Sequence, residues 1–192
     1  MFGKRNKRRL YMAYFRRNPT KKHPIPYHTA LYLSPKHPSS DSKSPHTAVF
    51  HAINYIDPTL DPPQAVWKFN DEYLNRKPNL KGVVLLGKID DSISKEQIKE
   101  MLKAVYVPEG PITEEMTWRC RDWIYDAVKT LVSNGILTDE RLSSSMDEIW
   151  NNGYRFLEKK SLEVDTRGRI PCCDLNGREI PCELRPTDTD AK

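Results

Sequence analysis

A chain of 192 residues, 38% hydrophobic and 30% charged, is long enough for one domain with a core and too short for two ordinary ones. It holds no run of about 18 apolar residues and no apolar leader, and its four cysteines do not form the framework that staples small secreted domains, which predicts a soluble cytoplasmic protein. The net charge of +5 is local, because nine of the 31 basic residues and no acidic one fall in the first 22 positions.

That opening run, from Lys4 to Lys22, reads either as a solvated leader or as a weak contact to an anionic surface. No zinc finger, helix-turn-helix or aromatic RNA-binding motif accompanies it, so a specific nucleic-acid partner is not expected. The predicted organisation is a basic arm over 1–9, a single domain over 10–164 and an irregular tail over 165–192.

In chain order, "LYMAYFR" predicts a first strand from Leu10, and the prolines of "NPTKKHPIP" end it. "YHTALYLS" from Tyr27 predicts a second strand, and the polar, proline-rich 35–46 a loop. "TAVFHAIN" from Thr47, "AVWKFNDEY" and "KGVVLLGKID" predict three more strands, paired antiparallel with their sequence neighbours. Helical spacing then takes over. Ser94 and Gln97 have the capping-box interval ahead of Ile98, Leu102 and Val105. A second helix carries Cys120 and the stripe Trp123, Ile124, Ala127, Val128, Leu131 and Val132, with Thr117 as its expected cap and Gly135 as its stop. A third spans about 144–160 with Met146, Ile149, Trp150 and Phe156. About five strands followed by three helices predict an α+β domain with an antiparallel sheet packed by helices.

Few residues offer chemistry. Cys120 sits near a helix start, between Arg119 and Arg121, where the dipole and the cations favour a thiolate. The same position faces inward with Trp123 and Ile124, as a plain core cysteine would. His28 and His51 lie inside apolar strand text, and a hairpin around 35–46 would project both imidazoles from one sheet face. A helix packed on that face would bring Cys120 to them. His23, His37 and His46 stand beside prolines in loops, with His46 the substitute should His51 face away. Cys172, Cys173 and Cys182 miss the CxxC interval of a zinc knuckle. P-loop, GxGxxG and GxSxG signatures are all missing, and neither a cofactor nor a metal is expected.

The order "HTALYL", "AVFHAIN", further strands and then "RCRDWI" resembles the circularly permuted branch of the NlpC-type papain-like superfamily, whose best-known members are the lecithin–retinol acyltransferase-like proteins. It is similar, more closely still, to fungal proteins of the same layout. The resemblance covers roughly residues 10 to 135. It implies a permuted papain-like fold with Cys120 as nucleophile, His28 as base and His51 orienting it, acting on a lipid, peptide or small-molecule acyl substrate. Two other functions fit the same residues: a non-catalytic binding module, and a small-molecule enzyme using His28 alone for acid–base work.

Overall fold

The computed structural model describes residues 7–19, 25–35, 47–74, 79–161 and 170–184. Five strands come first: β1 (Arg8–Arg16), β2 (Tyr27–Ser34), β3 (Thr47–Asp57), β4 (Gln64–Leu74) and β5 (Leu80–Ile89). Four helices follow, α1 (Lys95–Lys103), α2 (Cys120–Ser133), α3 (Arg141–Ser144) and α4 (Met146–Ser161), and then a two-residue strand β6 (Cys172–Cys173). The fold is α+β, a six-stranded mixed sheet in the order β4-β3-β2-β1-β5-β6 with helices against one face.

Strands β1 to β4 form an antiparallel meander, as their loops predict, but β5 does not pair with β4. It crosses to the free edge of β1, with register breaks at Leu10/Tyr11 and Tyr14/Phe15. "GVVLLG" is apolar on both sides, and a strand of that kind is stable only where both faces are covered. β1 shows the same logic. Leu10, Met12 and Tyr14 point to the helices while Tyr11 and Ala13 point away, and all five are buried.

The helix ends follow from local chemistry. Ser94 caps α1 with the reciprocal Gln97 bond of a capping box. At α2 the cap is Arg119, not Thr117. Asp122, three residues into the turn, accepts from the Arg119 amide at 2.6 Å, the reciprocal half of a capping box, while its own amide donates to the Arg119 carbonyl at 2.9 Å. Cys120 is therefore the first helical residue. The other end of α2 closes with Gly135 at φ 68°, Ile136 bonding back to Leu131 and Gly135 to Val132.

α4 lies unusually close to the sheet. A Cβ at Gly153 would stand 2.5 Å from both Tyr14 Oη and Val84 Cγ2, so this helix can dock only through a residue without a side chain. Beside it, Tyr14 Oη donates to the Trp150 carbonyl at 2.8 Å.

Two sequence expectations are corrected at the chain ends. The segment 170–184 is not irregular throughout. Cys172 and Cys173 pair in parallel with Val83 and Val84, and after a turn at Asp174–Arg178 the chain returns across the sheet's second face. Ile170, Cys172, Ile180, Cys182 and Leu184 pack there against Tyr11, Ala13, Ala30, Tyr32, Val49 and Val83. The period-2 alternation of those residues is the signal that the proline and glycine text obscured. At the other end β1 begins at Arg8, inside the predicted arm. Arg9 is 6% exposed and its Nε lies 2.7 Å from a Glu183 carboxylate oxygen, while Arg8 donates to the carbonyls of Asp90 and Ile93. These two cations hold structure together. Among the described residues no helix is long and apolar enough to cross a membrane.

Candidate functional site

Tyr27 and Leu31 of β2, and Phe50 and Ala52 of β3, all belong to the core beneath the helices. Strand alternation therefore sends His28 and His51 to the other face, with Ala30, Tyr32 and Val49. There the two imidazoles meet: His28 Nε2 lies 2.8 Å from His51 Nδ1, the rings 5.0 Å apart. The backbone ladder between β2 and β3 covers only Leu31↔Phe50 to Leu33↔Ala48. The side-chain bond joins the two strands just past the place where their backbone pairing ends.

The β3–β4 ladder sets the other half of the site. It places Asn70 directly opposite His51 and Glu72 two residues along on the same face. Asn70 Nδ2 is 3.1 Å from His51 Nε2 and donates to Glu72 Oε1 at 3.0 Å, and that carboxylate oxygen is itself 3.4 Å from His51 Nε2. The result is a continuous chain, His28–His51–Asn70/Glu72, from a half-buried imidazole to a carboxylate whose side chain is 43% exposed.

Two proton arrangements satisfy this chain. When His51 Nε2 accepts from Asn70, His51 Nδ1–H donates to His28 Nε2 and His28 presents an Nδ1–H. When His51 Nε2–H faces the Glu72 carboxylate, His28 Nε2–H donates to His51 and His28 presents a bare Nδ1 lone pair. Burial pushes His28 down to about 4, helped by the Arg17 guanidinium and opposed by Glu72. His51 also falls to about 4, first through burial, then through His28, with the Glu72 charge and hydrogen bond opposing. Both rings are neutral at pH 7.

Cys120 is not part of this constellation. It is 6% exposed in the helix-side core, and its sulfur lies 3.9 Å from Thr29 Oγ1, the residue after His28 and therefore on the opposite face. The sheet separates the thiol from both imidazoles, so the expected Cys120–His28 pair does not form. What the sequence left undecided was which face of β2 the helices cover, a difference of one residue in parity. We predict that Cys120 resists iodoacetamide in the native protein and that Cys120→Ala costs only about 1 kcal/mol in urea unfolding. Fast native alkylation would contradict this placement.

Asn70 and Glu72 were missed in the sequence reading, although "KFNDE" alternates polar residues with Phe69 and so marks a polar face of β4. His23, His37 and His46 lie outside the described residues. Among the described residues no group of histidine, cysteine and carboxylate side chains is arranged to hold a metal ion.

Fold and site together define an α+β protein with a hydrogen-bonded imidazole pair carried on the sheet face away from its helices. The family DUF6914, a family of unknown function, matches residues 7–168, and the chain belongs to it. No curated protein and no solved structure matches the chain.

Proposed function

We propose that the protein is an acid–base catalyst acting on a small molecule, with His28 exchanging the proton, His51 relaying it and Glu72 as the far acceptor. The observation that carries this reading is the 2.8 Å bond between two neutral imidazoles, continued to a water-accessible carboxylate. Burying two imidazoles costs desolvation that apolar side chains at the same strand positions would avoid.

In the working form His51 Nε2–H faces Glu72 and the His28 Nδ1 lone pair faces outward. A substrate proton passes to Nδ1 while the electron pair of the broken bond stays on the substrate. His28 gives its Nε2 proton to His51 Nδ1, and His51 gives its Nε2 proton to the Glu72 carboxylate. The chain returns to its first state when Glu72 gives its proton back to His51 Nε2, His51 its Nδ1 proton to His28 Nε2, and His28 Nδ1 delivers its proton to the product or to water. An imidazole that titrates at about 4 stays unprotonated, and so able to accept, throughout the neutral range.

Diethyl pyrocarbonate, which acylates neutral imidazole, tests the site without a known substrate. Followed by peptide mapping, His28 should react at pH 5 at close to its pH 7 rate, where an ordinary histidine slows roughly twentyfold. A His28 that reacts only after unfolding would sink the reading. Catalysis itself is read in D2O with pooled small metabolites. Wild type should place deuterium on a substrate carbon at least about a hundredfold faster than His28→Gln.

A further inference from the structure

Arg17 stands just beyond β1 and plays no part in the relay. Phe15 pairs with His28 and Arg16 with Tyr27, and the Arg17 amide extends the ladder by donating to the Pro26 carbonyl at 2.9 Å. By alternation Phe15, Arg17 and His28 share the second face, Arg17 standing diagonally across the ladder from His28. A diagonal neighbour on an antiparallel pair lies within reach of a long side chain.

Its hydrogen bonding sets Arg17 apart. Five described arginines are buried or half-buried: Arg8, Arg9, Arg17, Arg119 and Arg121. Four of them place terminal nitrogens on acceptors. Arg8 reaches two carbonyls, Arg9 reaches Glu183 and the Lys7 carbonyl, Arg119 reaches the Trp118 carbonyl, and Arg121 approaches Asp147. Arg17 uses only Nε, which donates to the Ile25 carbonyl at 3.2 Å. That bond fixes the side chain and leaves both Nη groups without a partner among the described residues. A guanidinium pinned at Nε and open at its Nη donors is prepared for a planar or tetrahedral oxyanion.

We propose that Arg17 and His28 together form the binding site for a small molecule bearing a carboxylate or phosphate group, held by the Arg17 Nη donors with the rest of the molecule lying across His28 Nδ1. This rests on the acid–base reading and adds a substrate class to it. The charges along the face agree. A cation stands at the His28 end and the Glu72 carboxylate further along, with Thr47, His51, Tyr55 and Asp57 of β3 and Gln64, Lys68 and Asn70 of β4 the other polar groups these strands turn to this side. An oxyanion at Arg17 offsets the cation beside His28 and leaves the far carboxylate undisturbed.

The test is binding, read by NMR on the His28 ring protons during titration with inorganic phosphate and, separately, with malonate, at constant ionic strength in chloride. Wild type should show saturable shifts at His28 in at least one arm, and the preferred anion should raise its pKa. Arg17→Gln should weaken that binding at least about tenfold, Arg17→Lys should restore part of it, and Arg16→Gln, an equal loss of charge at an exposed neighbour, should leave it unchanged. Shifts that fail to saturate, or that survive in Arg17→Gln, overturn the proposal. If His28 still reacts with diethyl pyrocarbonate in that case, the acid–base reading stands without it. Saturable binding beside an unreactive His28 has the opposite meaning: the anion site stands and the catalytic reading falls.

Discussion

Between pH 6.5 and pH 4 the folded protein should lose about 3 kcal/mol of stability through His28. The unfolded chain takes up a proton at this imidazole near 6.5, whereas the folded chain refuses it until about 4. Across that window the unfolded state therefore binds more protons, so stability rises with pH and levels off above 6.5. His51 is depressed to about 4 as well and adds to the slope in the same direction. Urea unfolding at pH 7, 6, 5 and 4 measures the effect. Carboxylates titrate in part of the same range, so the informative quantity is the difference from His28→Gln/His51→Gln, in which the imidazole contribution is gone. The double variant should show a distinctly flatter profile. An unchanged slope would mean that the imidazoles are not held neutral by burial.

Gly153→Ala should destabilise the protein by about 2 kcal/mol, although alanine is the better helix former by roughly 1 kcal/mol. The added methyl would meet Tyr14 Oη and Val84 Cγ2 at 2.5 Å, both on fully buried side chains. Gly153→Val should cost more than about 3 kcal/mol and lower the thermal midpoint by roughly 6–12 °C. Tyr14→Phe is the control. It deletes one of the two clashing atoms, at the cost of the buried bond to the Trp150 carbonyl. The double variant Tyr14→Phe/Gly153→Ala should therefore be more stable than the sum of the single effects allows. Strict additivity would place the strain elsewhere.

The elements of this fold were largely readable from the chain because each carries its own local physics. Alternation, proline breaks, the Ser94 box and the Gly135 stop mark five strands and the long helices without reference to the rest of the molecule. The meeting of His28 and His51 was readable for the same reason, since one hairpin contains both. What escaped was the choice of face. In "YHTALYL" every side chain but His28 is buried, so composition cannot say whether the helices cover the side of His28 or of Thr29. That choice is made by long-range packing of α2 and α4, and it puts Cys120 beside the threonine. The partner of β5 is also long-range information, as is the position of Asn70, which depends on an eleven-residue ladder in register. Arg17 was hidden inside a basic run. Only the hydrogen bonds set Arg17 apart from the other buried and half-buried arginines among the described residues.

The strip of chain laid over the second face has a practical meaning for where this protein can be cut. Family similarity ends at residue 168, yet Leu184 is still buried and Glu183 still neutralises Arg9. An expression boundary drawn at the end of family similarity would keep β1 to β5 and α1 to α4. It would also uncover a greasy sheet surface around Tyr11, Tyr32 and Val49 and strand a guanidinium without its counterion. Shared ancestry and a closed core have different borders here, and a soluble truncation has to respect the second.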